Sequence, residues 1–256
     1  MLRIYAHGGP NNGKTKAIVR TAKRPIRFIN SPGETGYASI PTDDPDISVW
    51  PLFDPTQKSD KILKEVEAAV GSSIKEGKFK DGTLVFEGVH NIMDYVMDTI
   101  TSGAYFDGEK PDWSTFGLCY HWMDMFISRL MVNNVENVIF TGWSKEKGER
   151  KARKGEKPDD IPQIIGPNML GEYSRTIIGR IPLVFHQTLK LIKDSKGNKI
   201  LDKDGNATYA AAWQTRPYGR VQGVGIKGPD KVIERMPLFI PADYANLALI
   251  WEELSK

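Results

Sequence analysis

The sequence predicts an α/β fold: a mostly parallel twisted sheet flanked by helices, with a β-hairpin region towards the C-terminus. Short apolar runs alternate with amphipathic segments, the pattern of βαβ units. The runs are continuously apolar, as strands covered on both faces are. A glycine-rich loop separates the first run from the first helical pattern. With 256 residues and no repeat, low-complexity tract or linker, a single domain over 1–256 accounts for the chain.

Strands are expected at Leu2 to Ala6, Ile26 to Asn30, Ile47 to Trp50, Thr83 to Phe86, Asn137 to Thr141 and Leu183 to Phe185. Helices are expected at Lys14 to Ala22, Lys58 to Ile74 and Thr115 to Val132. In the last, Phe116, Cys119, Tyr120, Met123, Phe126, Ile127, Leu130 and Met131 repeat at three- and four-residue steps, a wide stripe for core packing. His121 and Asp124 fall off that stripe and are expected in solvent. Three stretches read as loops: Thr101 to Ser114, Ser144 to Gly166, and Asp194 to Ala207, the last a pair of hairpin turns at Lys196-Gly197-Asn198 and Asp204-Gly205-Asn206.

Composition narrows the class. Charged residues make up 26% and apolar residues 40%, ordinary for a globular enzyme. No run of eighteen apolar residues is present, and Met1 to Ala6 leave no room for a signal peptide, so a cytoplasmic protein (host cytoplasm if phage-encoded) without membrane contact is expected. The lone Cys119 forms no internal disulfide and reads as a buried structural thiol. A net charge of +3 is too mild to announce a nucleic-acid protein, so any basic patch has to be local.

Gly8-Gly9-Pro10-Asn11-Asn12-Gly13-Lys14-Thr15 matches G-x-x-x-x-G-K-[ST] in full. Gly8 and Gly13 allow backbone angles and approaches that a Cβ blocks. Backbone N–H groups then converge on phosphates at a helix N-terminus, with Lys16 in its first turn. The expected ligand is ATP with Mg²⁺: Lys14 on the β- and γ-phosphates, the Thr15 hydroxyl on the metal. Such a loop also needs an acid at the end of a neighbouring strand, and Glu87 ends the Thr83 to Phe86 run. Hydrolysis needs a second carboxylate to orient water, and Glu34 follows the Ile26 to Asn30 strand.

In this order of parts the chain resembles RecA-type ATPase cores, and specifically small phage-encoded RecA-like proteins associated with single-strand annealing. The resemblance runs from the glycine loop to about Pro241. It implies a catalytic role for Glu34, a Walker B role for Glu87, and two loops along a DNA path at Thr101 to Ser114 and Ser144 to Gly166. The second loop has a physical case of its own. Lys145, Lys147, Arg150, Lys151, Arg153, Lys154 and Lys157 stand against three glutamates, a net +4 suited to phosphate neutralisation. On the first, Tyr105, Phe106 and Trp113 are candidates for stacking on unpaired bases.

The resemblance further implies a homo-oligomer, ring or filament, whose neighbouring subunit supplies a transition-state arginine: Arg216 first, Arg220 second. Single-stranded DNA and a single-strand-binding protein are the implied partners. One departure stands out. Where RecA proteins carry a glutamine that senses the γ-phosphate, this chain reads Thr141-Gly142-Trp143, leaving Thr141 or Lys145 as substitutes. The alternatives are a P-loop NTPase or kinase acting on a non-DNA substrate, and a nucleotide-gated assembly module with slow turnover.

Overall fold

The computed structural model describes residues 1–34, 36–41, 43–50, 56–77, 79–148 and 163–255. The first half builds the parallel part of a sheet. Strands β1 (Leu2–Gly8), β2 (Ile26–Asn30), β3 (Ile47–Val49), β4 (Thr83–Glu87) and β5 (Asn137–Gly148) alternate with helices α1 (Lys14–Thr21), α2 (Ser59–Lys75), α3 (Val89–Ile100) and α4 (Trp113–Met131). The second half adds β6 (Gln163–Pro167), α5 (Tyr173–Arg180), β7 (Leu183–Leu191), β8 (Tyr209–Gln214), β9 (Gly225–Ile226), α6 (Asp230–Arg235), β10 (Phe239–Pro241) and α7 (Tyr244–Ser255).

The sheet order is β10-β8-β7-β1-β5-β4-β2-β3, with β6 paired to β5 and β9 to β7. From β7 to β3 the neighbours run parallel; β8 and β10 extend the sheet antiparallel. Because side chains alternate faces along a strand, adjacent residues feed different cores. Tyr5, Leu84, Phe86, Val138 and Phe140 pack under α2 to α5, while Ile4, Val85 and Ile139 pack under α1, α6 and α7. Burial on both faces is why these strands read as unbroken apolar runs. Among the described residues, no helix is long and apolar enough to cross a membrane.

Two regions differ from the sequence reading. Ser144 to Gly166 is not a loop throughout: β5 continues to Gly148 and pairs antiparallel with β6, Ser144 opposite Pro167. Charged side chains on an arm with little core to cover hide its strand character. Asp124 is not simply solvated either, since it accepts hydrogen bonds from Tyr173 (2.9 Å) and Arg180 (2.5 Å), joining α4 to α5. The Asp194 to Ala207 segment does form two successive turns, with bridges Lys193 to Lys199 and Leu201 to Ala207. Cys119 is buried, its thiol towards the Met93 carbonyl.

At the far end of β1 an internal clamp fixes the sheet to α4. The Arg3 guanidinium spends its five N–H donors on the carbonyls of Leu2, Met131, Asn133, Val135 and Glu136, at 2.9 to 3.2 Å. The last carbonyls of a helix lack intrahelical partners, and Arg3 supplies donors just beyond the end of α4. Arg3→Met is expected to lower the unfolding free energy by about 2–4 kcal/mol, because buried carbonyls lose charge-assisted donors. Urea titration of both proteins measures the difference.

Candidate functional site

The expected loop forms at the C-terminal end of β1, where parallel α/β sheets place ligands. Gly13 has φ 75°, a left-handed conformation that turns the chain into α1. Gly8 is required for a different reason: a Cβ there would stand 2.4 Å from the Gln187 carbonyl oxygen. The loop is thereby pressed against β7. A cavity of about 520 Å³ opens over it, lined by Pro10 to Lys16, Glu34, Gly36, Ala38, Ser39, Glu87 and Thr141 to Trp143. That size falls in the usual range for small-molecule sites.

Lys14 reaches back over the loop and donates to the carbonyls of Gly8 (3.1 Å) and Gly9 (2.9 Å). Burial lowers its pKa, while Glu34 and then Glu87 pull it back up. The Thr15 hydroxyl bonds Glu87 Oε1 directly. The other Glu87 oxygen, Oε2, is buried with no hydrogen-bond partner. Burial first, and the Glu34 charge with it, push Glu87 up to about 7 against the Thr15 hydrogen bond and the Lys14 charge, which lower it. A hydroxyl and a carboxylate meeting beside an orphaned carboxylate oxygen are the hard donors that Mg²⁺ takes. These residues therefore fit the metal that the loop implies.

Glu34 lies in the turn after β2, its carboxylate against Gly88, where an added Cβ would fall 2.5 Å from Glu34 Oε2. The fold thus brings Lys14, Thr15, Glu34 and Glu87 to one cavity from three strand ends. Glu87 does not, however, end a strand adjacent to β1, because β5 lies between them. Thr141 on β5 walls the cavity and accepts the Gly88 N–H at 3.2 Å.

Sequence reasoning missed three histidines. Of the four in the chain, His7, His90 and His186 are buried around the loop. His7 donates from Nε2 to the Gly223 carbonyl (2.6 Å) and accepts the Ser144 hydroxyl at Nδ1 (2.8 Å); its ring centroid is 5.3 Å from that of His186. Desolvation, then repulsion from His186 and more weakly Lys14, lowers His7 to about 3 against the Gly223 hydrogen bond that raises it; desolvation with smaller repulsion from Lys14 lowers His90 and His186 to about 4. Each is neutral at physiological pH, so Lys14 is unrivalled by imidazolium. Their positions in sequence share no spacing that would have marked them.

Gln187 was missed as well. Its side chain donates to the Asn12 carbonyl (2.8 Å) and accepts the Trp213 indole N–H (2.9 Å), and Asn12 Nδ2 returns a bond to the Gln187 carbonyl (3.0 Å). Trp213 stacks on Phe185 at 5.1 Å and meets Tyr244 edge-on at 4.6 Å. A glutamine does sit beside the loop, then, but on β7 and bonded to loop backbone.

Other expected residues lie apart. Arg216 is exposed just past β8 and does not line its own chain's cavity. Arg220 pairs with Glu146 at 2.5 Å. Lys145, expected in a solvated loop, sits within β5 and donates to the Met169 carbonyl. Arg150, Lys151, Arg153, Lys154 and Lys157 lie outside the described residues, as does the Lys147 side chain. Of the aromatic trio, Tyr105 donates to Asp94 (2.9 Å) and packs on the core, whereas Phe106 and Trp113 are exposed. A larger cavity, about 730 Å³, opens at the opposite ends of the strands around Leu2, Thr83 and Leu183. Its lysines are engaged, Lys23 with Glu136 and Lys227 with the Gly179 carbonyl.

No family model and no curated protein matches the chain. Among solved structures, the assembled ATPase EscN of the enteropathogenic E. coli type III secretion system aligns at TM-score 0.44 and 10% identity, over 73% of this chain and 43% of its own. EscN in complex with its central stalk EscO aligns at TM-score 0.43 and 14% identity, over 72% and 41%. The chain spans about two fifths of the length of the ATPase it matches. The sheet is mostly parallel and flanked by helices, with acid-bearing β4 one strand removed from β1.

The Glu87 shift has a testable sign. Its folded-state pKa lies above the ordinary 4.5, so the folded protein holds that proton more tightly than the unfolded chain. The associated stability is complete below pH 4.5 and is lost as pH rises through about 7. Without magnesium and nucleotide, wild type should lose roughly 3 kcal/mol relative to Glu87→Gln between pH 4.5 and 7.5. Urea unfolding of both proteins at each pH measures it; parallel profiles would mean that Glu87 titrates like an exposed acid.

Proposed function

We propose that this protein is a Mg²⁺-dependent ATPase with a RecA-like core. The observation that carries the proposal is the meeting of Lys14, Thr15, Glu34 and Glu87 over one anion-binding helix N-terminus. In the proposed reaction the loop's N–H groups receive the phosphates, and Lys14 leaves the Gly8 and Gly9 carbonyls to neutralise charge on the transferred group. Thr15 and Glu87 would hold the metal, which would supply positive charge against that of the phosphates. Glu34 orients a water for in-line attack and takes its proton as the bond to the terminal phosphorus forms and the bond from that phosphorus to the β–γ bridging oxygen breaks, ADP leaving with that oxygen. Arg216 is exposed, and in this proposal it enters a neighbouring copy's cavity, so that an oligomer completes the site.

A second element of the proposal is single-stranded DNA as partner, in recombination or replication, by annealing or filament support. The observation favouring it is the path of β5, which runs without a break from the cavity wall at Thr141 to Trp143 into the arm carrying Lys145 and Lys147. The remaining basic residues follow in the next stretch of sequence. A strand joining the phosphate site to a cationic arm gives nucleotide state a direct route to a polyanion.

Two measurements test these proposals. Phosphate release with Mg²⁺ and ATP should be lost in Lys14→Ala together with nucleotide binding. In Glu34→Gln, turnover should fall about 10²–10⁴-fold while nucleotide binding persists. Wild-type turnover in Lys14→Ala would remove the ATPase proposal. Replacing Lys151, Arg153 and Lys154 by alanine should weaken oligonucleotide binding and flatten its log–log salt slope by about 2. An unchanged slope would place the DNA elsewhere.

A further inference from the structure

The phosphate loop has two sides. One faces the cavity, which Pro10 to Lys16 line. The other faces β7, and Gln187 on that strand meets the loop without lining the cavity. Gln187 is fully buried, and both polar atoms of its side chain are bonded. Its Nε2 donates to the Asn12 carbonyl at 2.8 Å, and its Oε1 accepts the Trp213 indole N–H at 2.9 Å. Its own carbonyl accepts Asn12 Nδ2 at 3.0 Å.

An amide side chain turned end over end exchanges its donor and its acceptor. At Gln187 the neighbours forbid that exchange. An indole N–H only donates, so Trp213 requires the Gln187 oxygen; the nitrogen then falls against Asn12, whose carbonyl only accepts. Trp213 is itself fixed, being fully buried, stacked on Phe185 at 5.1 Å and edge-on to Tyr244 at 4.6 Å. Contacts outside the cavity therefore decide that a donor is aimed at the loop.

Peptide geometry carries this to the other side of the loop. The peptide joining Asn12 to Gly13 is trans, so its C=O and its N–H point in opposite directions. With the C=O drawn towards Gln187, the Gly13 N–H is turned away from β7, to the side on which the cavity opens. Gly13, at φ 75°, is the N-cap of α1, so this N–H stands with the helix-head groups that have no intrahelical acceptor and suit an anion. Glycine accepts positive and negative φ alike, so the peptide is free to flip unless something holds it. A flipped peptide would put a carbonyl oxygen where a phosphate belongs.

We infer that Gln187 is a positioning residue for phosphate binding: through the Asn12 carbonyl it holds the Gly13 N–H towards the anion, and Trp213 fixes which end of its amide faces the loop. The inference deepens the nucleotide proposal above and rests on it. Gln187 itself touches neither phosphate nor metal, so its effect is read in nucleotide affinity.

Calorimetry of ADP with Mg²⁺ on the full chain, from about pH 6 to about pH 9, tests the role. Gln187→Met fills similar space without the donor and should bind at least about tenfold more weakly throughout. Gln187→Glu separates hydrogen bonding from packing. Its carboxylate still accepts from Trp213 but repels the Asn12 carbonyl, whereas its protonated form regains a donor at the same place. Its affinity should therefore rise towards the wild-type value as pH falls. The ratio to wild type at each pH removes ionisations that both proteins share, those of Lys14 and Glu87 foremost, and His186 beside it stays neutral over this range. Wild-type affinity in Gln187→Met would overturn the inference. So would a Gln187→Glu deficit as large as that of Gln187→Met at every pH, which marks lost packing alone. Should Gln187→Met not fold, Trp213→Phe takes its place: the ring still stacks, the Gln187 amide is released to turn over, and wild-type affinity there would overturn the role equally. A wild type that binds no ADP would instead remove the nucleotide proposal on which the role rests.

Discussion

The charge on Lys14 is the quantity around which the rest of the site is arranged. Its ammonium sits in a partly dry cavity, held by two loop carbonyls and faced by Glu34 and Glu87. Two carboxylates against one ammonium leave the pocket short of positive charge, and burial magnifies the shortage. Without a metal, the chain relieves it by raising the proton affinity of Glu87. Bound Mg²⁺ would relieve it better, and the orphaned Glu87 oxygen lies beside the Thr15 hydroxyl where such an ion belongs. The three histidines fit the same balance: burial keeps each neutral, so none adds a positive charge to that of Lys14.

Sheet order fixes the distances over which this balance works. Inserting β5 between β1 and β4 separates the loop from Glu87 by one strand width, about 4.8 Å on each side. The Thr15 hydroxyl spans that gap to Glu87 directly, and Thr141 lines the cavity between the two strand ends. On the other flank β7 lies directly against β1, so close that Gly8 admits no side chain. One strand is thus packed into the loop and the other spaced away from it, a division of roles set by backbone pairing alone.

Much of this was legible in the sequence. The six runs became β1 to β5 and β7; the inner strands leave an apolar signal because both their faces are covered, whereas β3, at the sheet edge, is only half-buried. Lys14, Thr15, Glu34 and Glu87, which the fold brings to one cavity, could be singled out since the chemistry expected of them fixes both residue type and place relative to a strand end. The α3 helix was passed over although Val89, Ile92, Met93, Val96 and Met97 recur at helical spacing; it begins two residues after β4, and the two apolar stretches merge. The β5–β6 arm was invisible because alternation cannot be read where one face has no core to meet. Gln187, Trp213 and the histidines act through contacts between residues far apart in sequence, which no local pattern encodes.

The two flanks of the loop also differ in how well their contacts are satisfied. On the β7 side, Gln187 makes short bonds to loop backbone and to Trp213, and Trp213 is wedged between Phe185 and Tyr244. Shifting that flank would break several buried bonds and a packed aromatic stack together. On the β5 side, the Trp143 N–H reaches His90 at only 3.4 Å, the other His90 nitrogen has no partner, and the indole is half-exposed. Little is lost when those groups move. If the loop takes phosphate as proposed, a loop clamped on one side and loosely walled on the other would accommodate that charge on the loose side, at Trp143.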